Sequence, residues 1–215
     1  MTHTFTFFLL NKIQAKKYMT EDEYENVAYS LEIFLINIFK TIQVYVIAYL
    51  LGVLFETFIM NLPYVLLRWH AGGWHAKSTI NCSIFGITTF VGIPFILQKM
   101  DFSLSFFWMT ILSLVILCCV LLYAPADTEK NPLVSVSERK RKRIFSFLSA
   151  LLAIFIAVFF VNNEIGTLMI TGLFVEIIMI HPLFYKLNKR SYKNYENYQV
   201  PVSYTHLRAH ETSLH

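Results

Sequence analysis

The sequence predicts an all-α fold, a polytopic bundle of about six membrane-spanning helices with its N- and C-termini in the cytoplasm. Three observations carry this expectation. Hydrophobic residues make up 56% of the 215-residue chain and charged residues only 15%, where soluble domains carry roughly 25% charge. The mean hydropathy is +0.52, more apolar surface than so small a globule hides in one core. The apolar residues also fall in runs close to the roughly 20 that a helix needs to cross a bilayer. Within lipid only a helix or a closed barrel satisfies its own backbone polar groups. Disordered, collagenous, disulfide-rich and ordinary soluble classes are excluded.

Taken in order, residues 1–30 form a cytoplasmic or interfacial segment. It joins an apolar run at 5–10 to Lys12, Lys16 and Lys17, then to an acidic cluster at Glu21, Asp22, Glu23 and Glu25. A helix lying on the membrane surface and a solvated preface to the first span both fit this pattern. With no basic stretch ahead of an apolar run, no cleavable signal peptide is expected. Residues 31–67 are too long for one straight crossing, and Gly52, Glu56, Asn61 and Pro63 interrupt them. Two short helices joined near 55–57 are expected. The second is marginal, which leaves four spans plus an irregular or re-entrant pair as the alternative. Residues 80–97, 103–123, 144–161 and 165–185 are the four clear spans, with His181-Pro182 marking a helix end or kink. The membrane domain then covers 31–193, followed by a polar tail at 194–215. Within the tail, 201–215 reads as translated adaptor or vector sequence, with a genuine polar cytoplasmic tail as the alternative.

Orientation follows from the basic residues of the short loops. The 124–143 loop holds Lys130 and the run Arg139, Lys140, Arg141, Lys142 and Arg143, so it is expected inside the cell. The 162–164 turn has no basic residue and faces out. Lys186, Lys189, Arg190 and Lys193 put the C-terminus inside. Counting back, the 68–79 loop is also cytoplasmic. The net charge of +4 thus reads as topology, and no nucleic-acid partner is expected. Three cysteines, Cys82, Cys118 and Cys119, make no disulfide framework. Cys118 and Cys119 lie deep in a span and read as core. Lys40, Gln43 and Glu176 are costly in lipid and should face protein or water, with Glu176 facing the bundle or a partner subunit.

The richest stretch is Arg68-Trp69-His70-Ala71-Gly72-Gly73-Trp74-His75-Ala76-Lys77, closing at Cys82. Gly72-Gly73 lets the chain turn sharply before the next helix. Cys82 falls in the first turn of that helix, where the helix dipole and nearby cations favour a thiolate. His75 is the obvious base, and the two together make an activated nucleophile. On one continuous helix the seven-residue spacing corresponds to about 10.5 Å of rise. The pair therefore meets only if the helix starts after His75 or across a dimer interface. An inert cysteine with an interfacial histidine fits the spacing too. A zinc site from His70, His75 and Cys82 lacks a fourth ligand, so no metal and no cofactor are expected.

Arg68-x-x-x-Gly72-Gly73-x-His75-Ala76-Lys77 with Cys82, and Tyr123-Ala124-Pro125-Ala126-Asp127-Thr128-Glu129-Lys130-Asn131-Pro132 further on, resemble the two signatures of the AgrB family. The resemblance runs from about residue 29 to 193. It implies a membrane cysteine endopeptidase of Gram-positive quorum sensing, with Cys82 as nucleophile and His75 as general base. The implied substrate is an AgrD-like propeptide, cut near its C-terminal part and closed to a thiolactone or lactone. A homodimer in the cell membrane with a cytoplasmic active site is implied as well. Arg68, Gly72, Gly73, Lys77 and Lys130 are candidate supporting or substrate-binding residues. Asp127 and Glu129 are candidates to orient His75, or to shape the turn at Pro125. The rival reading is a non-enzymatic peptide exporter or chaperone. Polar chemistry gathered at one membrane edge, instead of spread along several spans, favours the enzyme.

Overall fold

The computed structural model describes residues 2–74, 79–128 and 132–198, so the expected foreign segment 201–215 lies outside the described residues. Among these residues there is no β-strand, and the helices are α1 (Thr2–Lys12), α2 (Glu21–Leu50), α3 (Leu54–Ala71), α4 (Thr79–Ile87), α5 (Ile93–Lys99), α6 (Phe106–Tyr123), α7 (Val136–Phe159), α8 (Asn163–Ile180) and α9 (Pro182–Leu187). Among the described residues five stretches are long and apolar enough to cross a bilayer: Glu23–Leu50, Ile80–Lys99, Phe106–Tyr123, Val136–Phe159 and Asn163–Ile180. Several apolar helices of this kind mark a membrane protein. The helix α3 is not among the five, and it carries Glu56, Asn61, Arg68 and His70.

The chain divides into two compact units. The first holds residues up to Thr57 and the stretch ending at Ile96. In it, α1 lies on the start of α2 through Leu10, Ala15, Tyr24 and Ala28, with Phe7 and Leu31 alongside. Thr20 caps α2 reciprocally: its Oγ1 accepts from the Glu23 N–H, and its own N–H donates to Glu23 Oε2 at 2.9 Å. A capping box of this kind satisfies two of the helix's first donors, and it accounts for the acidic cluster sitting at the start of a helix. The long apolar stretch breaks at 51–53, not at the expected 55–57. Gly52 takes φ +73°, Val53 N–H donates to the Ala48 carbonyl and Gly52 N–H to that of Tyr49. These two bonds close α2 as a Schellman motif, which favours glycine at the left-handed position. Glu56 instead sits in the first turn of α3, where a carboxylate suits the helix dipole. Between α4 and α5 the chain widens into a π-helical stretch, Thr88–Gly92. Pro94 follows within two residues, and a proline removes an N–H and crowds the preceding turn, which a π-turn relieves.

The second unit runs from Phe58 on α3 and from Leu97 onward. Here α6, α7 and α8 pack against one another, and α8 is buried along most of its length, from Gly166 to Ile180. Two glycines permit its close approaches. A Cβ at Gly166 would collide with the Ala157 carbonyl oxygen, and one at Gly172 with that of Met60 on α3. The helix α7 starts at Val136, eight residues before the expected 144, because Ser135 caps it by accepting from Glu138 N–H. The basic run 139–143 is therefore helical rather than loop. His181 caps α9, with Pro182 in its first turn, so the expected end of the last long helix falls there. Cys118 is exposed and only Cys119 packs against the core. The expectation that both are core thus fails for Cys118, since α6 is apolar all round and its outer face gives no sign in sequence. On α2, Lys40 is half-buried and Gln43 exposed.

Candidate active site

The second unit gathers the end of α3, the loop after α6 and the end of α8. At Ala71 the chain leaves α3 and turns through Gly72 (φ +72°) and Gly73 (φ +122°). Glycine is required at both. A Cβ on Gly72 would strike the Ala126 carbonyl, and one on Gly73 would press on Arg68 Nη1, Glu176 Oε1 and Ile180. The turn is stitched to its neighbours by backbone bonds. Ala126 N–H donates to the Ala71 carbonyl at 2.8 Å, Gly73 N–H to that of Ala126 at 3.1 Å, and Trp74 N–H to that of Met179 on α8 at 3.1 Å.

Arg68, one turn before the end of α3, forms a fork. Its Nη1 donates to Glu176 Oε2 at 3.0 Å, and its Nη2 to the Trp74 carbonyl at 2.7 Å. Its guanidinium lies 5.6 Å from the centre of the Tyr64 ring, and the Tyr64 hydroxyl donates to Met179 Sδ. Glu176 is fully buried, and its other oxygen, Oε1, has no hydrogen-bond partner among the described residues. The expectation that Glu176 faces the bundle holds. The ion pair with Arg68 was not foreseen, although two opposite charges in apolar helices were a usable signal.

Asp127 is buried, and its carboxylate accepts from four N–H groups. Asn194 N–H and Nδ2 approach Oδ1, while Tyr195 N–H at 2.8 Å and Leu133 N–H approach Oδ2. Around this knot, the Tyr185 hydroxyl donates to the Asp127 carbonyl, the Tyr192 hydroxyl to that of Tyr123, and Arg143 Nε to that of Ala124. Arg139 stacks over Tyr195 at 4.1 Å. Burial pushes the Tyr185 phenol upward and that of Tyr192 up to about 12, so both stay protonated as donors. Sequence reasoning missed Tyr185, Tyr192 and Asn194; the only trace was the run of tyrosines after α9. His70 stacks on Phe145 at 5.2 Å, away from any group of three or more metal-ligating side chains among the described residues.

In the first unit Cys82 is a free, half-buried thiol, the fourth residue of α4, which starts at Thr79. It therefore lies in the first turn of that helix. His75, Lys77, Glu129 and Lys130 lie outside the described residues.

The family model for Accessory gene regulator B matches residues 8–180. The chain belongs to the accessory gene regulator B family. A putative AgrB-like protein of Listeria innocua is 39% identical over 180 residues, covering 83% of this chain and 87% of the relative. One from Listeria monocytogenes is 38% identical with the same coverage. The accessory gene regulator protein B of Staphylococcus aureus is 32% identical over 173 residues, 80% of this chain and 90% of its own. No solved structure matches. The family match takes in Arg68, Gly72, Gly73, His75, Cys82, Asp127 and Glu176. It ends at Ile180, so the AgrB family model stops short of Tyr185, Tyr192 and Asn194, which build the knot on Asp127.

Proposed function

We propose that this chain is a membrane cysteine endopeptidase that cleaves an AgrD-like propeptide and promotes its cyclisation to a thiolactone or lactone signal. The observation that carries the reading is Cys82 in the first turn of α4, seven residues after His75, in a chain of the AgrB family. His75 takes the thiol proton, and Cys82 attacks the scissile carbonyl. The proton passes to the leaving amine, the C-terminal peptide departs, and a thioester remains on Cys82. A Cys or Ser side chain of the propeptide then attacks that thioester, releasing the ring and the free thiol. Transfer between thioesters is nearly balanced in energy, so the first thioester has to be kept from water, which an edge between bilayer and protein favours.

In this reading α3 makes a sixth, marginal crossing, both termini are cytoplasmic, and the working unit is a homodimer. Lys77 and Lys130 supply positive charge toward an acidic propeptide. The test is co-expression of the propeptide with wild-type, Cys82→Ala and His75→Ala proteins. Cleavage is expected only with the wild type, through an intermediate on Cys82 that hydroxylamine removes. Continued cleavage by Cys82→Ala defeats the reading.

A further inference from the structure

We propose that Glu176 is a positioning residue of the acyl-transfer reaction: through Arg68 it fixes the carbonyl of Trp74, the residue that precedes His75 in the sequence. The inference rests on the endopeptidase reading above. Trp74 is the residue before His75, and α8 holds its peptide groups on both sides. Its N–H donates to Met179, and its carbonyl accepts from the Arg68 fork whose other tine is bound to Glu176.

A planar guanidinium bound at two nitrogens is fixed in orientation as well as position. Glu176 is the rigid end of this strut, because α8 is the most buried helix of its unit. Stability alone gives a poor account of the carboxylate. A buried ion pair seldom stabilises more than an apolar pair of equal volume. This one also leaves Glu176 Oε1 buried with no hydrogen bond among the described residues, a state that costs free energy. What the pair supplies is geometry, at the last described residue before the general base. The arrangement also bears on Arg68 as a binder of acidic substrate residues. Both of its terminal nitrogens are engaged within the unit, so its cation is neutralised by Glu176.

The experiment uses the full chain reconstituted in liposomes, with the propeptide as substrate. Rates are measured for wild type, Cys82→Ala, Glu176→Gln and Glu176→Asp. Misplacing a reacting group by about 1 Å can cost about 100-fold in rate. Glu176→Gln is therefore expected to lower kcat at least about tenfold with KM within about twofold of wild type. Glu176→Asp, which keeps the charge on a shorter arm, is expected to recover part of the loss. Wild-type kcat in Glu176→Gln, or a loss carried by KM, overturns the inference. Where Glu176→Gln fails to fold, by elution profile and tryptophan fluorescence, Glu176→Asp decides. A folded Glu176→Asp with reduced kcat supports the role, and one with wild-type kcat, or one that also fails to fold, overturns it. Cleavage that is absent from wild type, or that persists in Cys82→Ala, marks failure of the endopeptidase reading itself.

Discussion

A carboxylate reports its role by what it accepts, and Asp127 and Glu176 differ in this respect. Asp127 takes four N–H donors from residues 133, 194 and 195, so its charge is matched by a cage of dipoles. Glu176 takes one cation, and its second oxygen meets no donor among the described residues. The sequence made Glu176 legible as a residue facing protein, because a charge deep in an apolar helix has no other inexpensive place. It did not reveal the partners of Asp127, since most are backbone groups, which have no signature in sequence. Replacing Asp127 by Asn turns an acceptor into a donor toward N–H groups that already point at it. That change is expected to destabilise the protein by about 2 kcal/mol, read by thermal unfolding. Faster proteolytic cutting between Arg190 and Tyr198 should accompany it, because the knot is what holds that segment.

At the scale of elements, small residues decide where helices end and how closely they pass. The break in the first apolar stretch was visible as a cluster of four interrupting residues, but not its position. Asn61 and Pro63 are accommodated inside α3, Glu56 in its first turn, and Gly52 alone ends a helix. The reach of α7 back to Val136 was hidden because charge reads as loop, although Ser135 and Glu138 form an ordinary helix start. Gly172 and Gly52 separate two uses of glycine. At Gly172 a methyl group meets the Met60 carbonyl, a backbone atom that cannot swing aside, whereas at Gly52 nothing lies within 4 Å. Gly172→Ala is expected to cost about 3 kcal/mol through overpacking, and Gly52→Ala about 1 kcal/mol through backbone strain alone. Parallel melting curves in detergent check the order, and the larger loss should belong to position 172.

For the whole molecule, composition made the membrane class legible at once, and the helix count nearly so. The marginal member was α3, which mixes Glu56, Asn61, Arg68 and His70 into an apolar helix. Charge distribution gave a topology that cysteine accessibility can test. In a chain lacking its native cysteines, Ser137→Cys is expected to be shielded from an impermeant thiol reagent in intact cells. Asn163→Cys should be labelled there. The reverse pattern would invert the orientation and put the proposed site on the wrong side for a newly made propeptide.

The Arg68–Glu176 and Asp127–Tyr195 bonds join residues 108 and 68 positions apart, which gives the chain a clock. The turn at Gly72-Gly73 is translated early, yet its strut waits for α8, and the loop that backs it waits for Tyr195. Until a ribosome has passed these residues, the turn lacks its tie to α8 and the loop beside it lacks its knot. The order of synthesis therefore fixes this turn late, although it is among the earlier parts of the second unit to be made.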